Sequence, residues 1–503
     1  MNGTFKKILT FFFAVGTVFL ISLIVAIPKS RSFYVELGDN VSASPSDYLF
    51  GYSFMLKNAE VDVSRVDSNT IGSYQAYAKF LFYGYTLNVE VGDKTPPVIE
   101  LPEGTIYVAV NRVYEPADFV NNIYDLSGEV QSTVTYDGNV YETLSFDQLG
   151  NYTAVISSTD VWGNTGSREI TFTVDDAPML IGAFNRHIAV GSNFNLGGVV
   201  AADTVDGILT DRIKIDFGGF DINTVGNYDV TYTVSDNYGL ETSATVTLSV
   251  VDSKKLGDYD DDLTLTSGEM NLLCDLHYFS YEPLEEENYD EAVKLVEPTL
   301  VDLKRIWGDG SWGAGSGAIY QITPEYVYFI SVEHVTKEVS KDCRIMFFDG
   351  EVLKGAFQYV TSDEKNEMVM FAVRTADIPL DTLLAIRQVY VDPDIYSKIN
   401  VGDNVVAYAK HWNGTEKDLI RPMEVKALTS SIQTFNFINS LLETTQNVTN
   451  GMSGTAVVDY KGNLVGLASA AGPSMSGGTA YSAYHSKIDV IPELLQKLDD
   501  SLV

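Results

Sequence analysis

Residues 221–252 read DINTVGNYDVTYTVSDNYGLETSATVTLSVVD, and nearly the same design stands at 145–176 as SFDQLGNYTAVISSTDVWGNTGSREITFTVDD. In the former, Tyr228, Val230, Tyr232 and Val234 alternate with polar residues, which puts one face of a strand into a core. Asp236-Asn237-Tyr238-Gly239 supplies a turn, and residues 245–250 alternate again. Two such strands around a Gly-containing turn form a hairpin. A more divergent copy holds Gly72-Ser73-Tyr74 and runs through FLFYGYTLNVEVGD at 80–93. One pattern therefore occurs three times, each ending in a "VxD"-like step, and units of roughly 60–80 residues suit small β-sandwiches.

Outward from these repeats, composition narrows the possibilities. The 503 residues include 68 Asp and Glu against 33 Lys and Arg, a formal charge of −35. A surface this anionic repels phosphate backbones and excludes nucleic acid as a partner. A hydrophobic share of 45% excludes general disorder, and the length calls for several domains. Two cysteines cannot build a disulfide framework or, alone, a structural zinc site; no metal and no cofactor is expected. The fold expected is mainly β.

The Gly-x-Tyr steps at 72–74, 150–152 and 226–228 resemble the tyrosine corner, in which the hydroxyl caps a loop leaving one sheet. The tandem units resemble bacterial immunoglobulin-like domains over about residues 32–252. That resemblance implies three sandwiches, at 32–93, 94–176 and 177–252, with Thr95-Pro96-Pro97 as a stiff junction. Such units read as a spacer, or as binders of a cell-surface ligand. His187, their one histidine, has no visible partner in the sequence. Before them, Ile8 to Ile27 is uncharged and long enough as a helix to cross a hydrocarbon core, and Lys6 and Lys7 precede it. Residues 1–31 thus read as a cytoplasmic stub and transmembrane helix, placing the remainder outside the cytoplasm at the cell membrane. A cleaved signal is the alternative, although Val25-Ala26-Ile27-Pro28 is a poor cleavage site.

Residues 253–288 read as an acidic and helical linker. Asp258, Asp260, Asp262, Thr264 and Glu269 fall at EF-hand-like spacings, but Leu263 occupies the place where that loop needs glycine. Cys274 and Cys343 could pair or remain thiols.

Residues 289–503 carry the chemistry. YVYFISVEHVTKE places His334 behind a run of β-forming residues, SDEKNEMVMFAV sets Glu367 before an apolar strand, and Ser453 stands in Gly451-Met452-Ser453-Gly454. A serine hydroxyl is a poor nucleophile until an imidazole accepts its proton, and a carboxylate must fix the imidazole's tautomer. Gly451, lacking a Cβ, can turn its N–H toward a developing oxyanion alongside that of Ser453. The order histidine, acid, serine is that of the chymotrypsin architecture.

Order, strand contexts and spacing resemble trypsin-like serine proteases, nearest the bacterial Deg/HtrA type. The matching pieces are Val296–Val301 as the opening strand, Gly315 to Ile319, His334-Val335, and GMSGTAVV around Ser453. The resemblance implies a double β-barrel and a serine endopeptidase acting on peptide or protein, with His334, Glu367 and Ser453 as the triad and Gly451 and Ser453 as the oxyanion hole. It also implies a specificity pocket near Asn447 and Ser469. Glu367 stands where the family has aspartate, and Asp363 is the alternative orienter. Thr455 and Ala456 replace the usual Gly-Pro. These departures keep a second reading open, a non-catalytic adhesin or sensor built on a degenerate protease fold. His277, His411 and His485 read as structural.

Overall fold

The alternating pattern of the repeats sends every second side chain inward. On the strand Gly226–Ser235, Val230, Tyr232 and Val234 are buried, and on Gly150–Asp160 the buried face holds Ala154 and Ile156. The computed structural model describes residues 6–502, except for 9, 16–25, 262, 307–311, 337–342, 356–358, 411–417, 434–436, 447, 450 and 474–480. The chain is mainly β and divides into two compact units, Met1–Asp175 and Asp176–Val503.

The first unit holds two repeats. One has a four-stranded sheet in the order Ser32–Glu36, Tyr83–Gly92, Gly72–Phe80 and Ala59–Asp62, with Ile27–Pro28 paired to Leu49–Phe50 in a second sheet. The other has five strands, Asn139–Tyr141, Val130–Tyr136, Gly150–Asp160, Thr165–Asp175 and Ile106–Ala109, beside the pair Val98–Glu100 and Asn122–Tyr124. The third repeat opens the second unit. It combines Arg186–Ala189, Glu241–Val251, Gly226–Ser235 and Lys214–Asp216 with a three-stranded sheet of Met179–Ile181, Val200–Asp203 and Gly207–Ile208.

Two features recur in all three repeats. The first strand of the larger sheet runs parallel to the last, as Ser32–Glu36 with Tyr83–Gly92, Ile106–Ala109 with Thr165–Asp175, and Arg186–Ala189 with Glu241–Val251. The Gly-x-Tyr hydroxyls of Tyr74, Tyr152 and Tyr228 donate to the carbonyls of Thr70, Gln148 and Thr224, four residues upstream, at 2.8, 2.9 and 3.0 Å.

The N-terminal segment differs from the sequence expectation. Ala26 is fully buried among Tyr48, Leu49 and Met55, and Ile27 pairs with Phe50, so the first repeat begins at 26 and not at 32. Among the described residues no helix is long and apolar enough to cross a membrane.

The third repeat is not a free spacer, and 253–288 is not a linker. Ile181, Val200 and Ala202 share one core with Met270, Leu273, Phe279, Leu383 and Leu384. Arg186 reaches Asp381 at 2.8 Å. His187 Nδ1 meets Asp261 at 2.8 Å, and its ring stacks on Tyr259. The helix Ser267–Asp275 is capped reciprocally by Thr266 and Glu269, which spends Glu269 on the cap and not on an ion in an EF-hand-like loop. Asp262 lies outside the described residues. Cys274 is a free thiol, pushed up to about 11 by burial.

The remaining chain forms two β bodies. Seven strands follow the order Val352–Gly355, Cys343–Phe347, Leu300–Ile306, Trp312–Ile322, Tyr326–Ser331, Met368–Arg374 and Tyr359–Asp363. Six strands then close a barrel, Asn404–Ala409, Leu419–Gln433, Phe437–Thr445, Tyr481–Ser486, Leu464–Pro473 and Ala456–Asp459. The expected pair of barrels is thus one closed barrel and one sheet whose edge strands are unpaired with each other among the described residues. The expected opening strand is also displaced. Asn288 caps a helix, Tyr289–Val296, and a 3₁₀ turn through Pro298 delays the strand to Leu300.

Candidate active site

His334 sits on a single helical turn, Glu333–Thr336, at the end of the strand Tyr326–Ser331. Its neighbour strand is Met368–Arg374, and Glu367 immediately precedes that strand. Strand pairing therefore brings two residues 33 apart in sequence to the same edge. The Glu367 carboxylate accepts from His334 Nδ1, and the same Oε1 accepts the His334 backbone N–H at 3.2 Å. The imidazole is 48% exposed while the Glu367 side chain is 7% exposed, so the ring presents Nε2 outward and is held from the buried side. Glu367 has φ +54°, a left-handed conformation uncommon outside glycine. The Ser486 hydroxyl fixes this residue by donating to its carbonyl at 3.1 Å. Asp363 is elsewhere engaged: its carboxylate accepts the N–H groups of Lys365 and Asn366 and the Asn366 amide, closing its own turn.

The Ser453 loop is tied to the strand Trp312–Ile322. The Ser453 carbonyl accepts the Ser316 N–H at 2.7 Å, and the Ser316 hydroxyl donates to the Gly451 carbonyl at 3.0 Å. Gly315 makes this approach possible, because a Cβ there would lie 2.5 Å from Val335 and 3.0 Å from the Ser453 carbonyl. Gly315 therefore lies where the residue after His334 meets the Ser453 loop. Gly454, at φ +86°, is equally constrained, since a Cβ would meet the Ser316 carbonyl at 2.1 Å. Thr455 is fully buried and its hydroxyl donates to the Tyr408 carbonyl, which ties the loop to the barrel. Gly451 adopts φ +93°, and among the described residues neither its N–H nor that of Ser453 is taken up by a protein acceptor. Among the same residues Ser453 Oγ makes no hydrogen bond to the imidazole; such contacts are often long in unliganded sites.

Of the proposed pocket residues, Ser469 lies in the bulge between Ala468 and Ala470, 5% exposed, with a buried hydroxyl that has no partner among the described residues. Asn447 and His411 lie outside the described residues. His277 lies in a left-handed turn after the helix Ser267–Asp275. His485 is wholly buried on Thr444, and burial depresses its pKa to about 3.

One residue absent from the sequence reading underlies the loop. Asp302 is 3% exposed on the strand Leu300–Ile306, with Oδ1 at 3.4 Å from the Ser316 hydroxyl and Oδ2 without a hydrogen-bond partner among the described residues. Burial pushes its pKa up to about 8, against smaller opposing effects of the Ser316 hydroxyl and Lys410. Ser316 has one proton and gives it to Gly451, so a protonated Asp302 can donate to Ser316 in turn. A charged residue inside the apolar run of LVDLKRI was the available signal.

Residues 179–250 match the Ig-like domain family of bacterial surface proteins. An uncharacterized 81.3 kDa protein of Acholeplasma phage L2 is 28% identical over 173 residues, which is 33% of this chain and 23% of that protein. Two solved structures of the HtrA-type protease AlgW with a tripeptide are 22% and 21% identical, cover 42% of this chain and 63% of theirs, and superpose with TM-scores of 0.34 and 0.33. The chain thus spans about a quarter of the phage protein and under two thirds of each protease chain.

Proposed function

We propose that the C-terminal part of the second unit is a serine endopeptidase, with Ser453 as nucleophile, His334 as base and then acid, and Glu367 as the orienting carboxylate. The observation that carries this reading is the Glu367 carboxylate on His334 Nδ1, beside a Ser453 loop anchored through Ser316. With Nδ1–H given to Glu367, Nε2 keeps a lone pair and takes the Ser453 proton as Oγ adds to a peptide carbonyl. The C–N bond then breaks and Nε2 passes the proton to the leaving amine. Water repeats the addition on the acyl-enzyme and releases the acid product. In this reading the Gly451 and Ser453 N–H groups receive the developing oxyanion. The substrate is a peptide or protein, and the chemistry requires no cofactor.

The match at 179–250 supports location at the cell surface, and the apolar stretch from Ile8 supports membrane attachment. Because Ala26 and Ile27 belong to the first repeat, such an anchor ends by residue 25.

Glu367 and Ala456, which depart from the residues of the resembled protease family, favour a second reading, an adhesin or sensor that binds without cutting. Fluorophosphonate treatment separates the two. Labelling mapped to Ser453 and lost in Ser453→Ala is the endopeptidase result, and a folded chain that stays unlabelled is the binder's.

A further inference from the structure

The third repeat gathers charge without compensation at a place remote from the Ser453 loop in sequence. Asp203 ends the strand Val200–Asp203, and Asp236 follows the strand Gly226–Ser235; they are 1% and 7% exposed. Each spends Oδ1 on its own turn. Asp203 accepts the N–H groups of Val205 and Asp206, and Asp236 those of Tyr238 and Leu240, all at 2.8 Å. In both residues Oδ2 is buried and has no hydrogen-bond partner among the described residues. One carboxylate oxygen of Asp203 lies within 4.8 Å of one from Asp236. Burial raises the Asp203 pKa, and the charges of Asp176 and Asp206 raise it further.

A buried carboxylate oxygen without a donor is costly, and two buried carboxylates this close are more so. No Lys, Arg or His is hydrogen-bonded to either carboxylate among the described residues. Oxygen-only donors suit a hard cation, and calcium tolerates an irregular set of carboxylates, carbonyls and water. We propose that Asp203 and Asp236 are ligands of a calcium ion bound in the third repeat.

A related set recurs in the first unit. Asp93, Asp125 and Asp160 each offer an oxygen within 4.8 Å of the others, and Asp93 Oδ2 is buried with no hydrogen-bond partner among the described residues. Asp160 ends the Gly-x-Tyr strand of its repeat, and Asp236 directly follows that of the third. The test must therefore subtract one site from a total.

Full-length protein stripped with a chelator is dialysed against calcium, and bound metal is counted beside the thermal midpoint. Asp236→Asn and Asp203→Asn keep the turn-forming Oδ1 and remove the charge. Each is expected to bind one calcium fewer per chain and to lose at least part of the calcium-induced rise in midpoint, while gaining stability in chelator. Terbium, sensitised by the adjacent Tyr238, is expected to lose luminescence in both variants. Equal calcium stoichiometry in wild type and in both folded variants would overturn the proposal. So would a wild-type chain that binds no calcium at millimolar concentration.

Discussion

Replacing Asp302 by asparagine probes the buried link beneath the Ser453 loop. The folded carboxyl titrates near 8, about four units above its ordinary value. Between about pH 4 and pH 8 the folded state holds a proton that the unfolded state has released. Stability therefore falls as pH rises, at about 1.4 kcal/mol per unit. The contribution is complete below the unfolded value and lost once pH passes about 8, a total on the order of 5 kcal/mol. An asparagine amide can donate to Ser316 as the protonated acid does and cannot ionise. Denaturant unfolding of the second unit, followed at pH 5, 6, 7 and 8, is expected to give similar stabilities at pH 5. At pH 8 Asp302→Asn should lead by several kcal/mol. Taking the difference between the two proteins removes the same-signed contribution of Asp203. A variant destabilised equally at every pH, or a wild type that gains stability on alkalinisation, would refute the reasoning.

Glu367→Gln should slow fluorophosphonate labelling by orders of magnitude, about 10⁴ where an aspartate has this role, while Glu367→Asp is milder and Asp363→Asn leaves the rate unchanged; a fast Glu367→Gln enzyme would refute the orienting role. Gly315→Ala should force Val335 away from the Ser453 loop and lower the labelling rate with the far-ultraviolet circular dichroism unchanged; full labelling would show that the contact does not position His334. A chain beginning at 285 loses Met270, Leu273 and Phe279 from a shared core, about 2 kcal/mol each, and should aggregate where one beginning at 177 stays soluble. A folded monomer from 285 would mean that the third repeat contributes nothing to the C-terminal body.

The hairpins of the repeats were legible because alternation and Gly-x-Tyr are local: Tyr228, Val230 and Tyr232 announce a strand without help from distant residues. The pairing of His334 with Glu367 was suggested by their strand contexts, but the left-handed backbone that aims Glu367 has no sequence mark. Docking of the third repeat was hidden because Ile181, Val200 and Ala202 look like any strand residues, and their partner surface is made by another segment. The supposed linker misled for a related reason. Its acidic composition obscured Met270 and Leu273, one helical turn apart and both buried. Asp302 was passed over because burial of a charge is decided by tertiary packing.

The parallel pairing of the first and last strands of the larger sheet in each repeat has a mechanical meaning. In the first repeat five residue pairs join Ser32–Glu36 to Tyr83–Gly92, and the second and third each have four such pairs. Because these two strands are parallel, the chain enters the one and leaves the other at opposite ends of the pair. A pull on the polypeptide then shears this patch of bonds together and does not peel them one by one. The repeats should accordingly yield at high force in single-molecule stretching, and early, low-force extension of all three would contradict this.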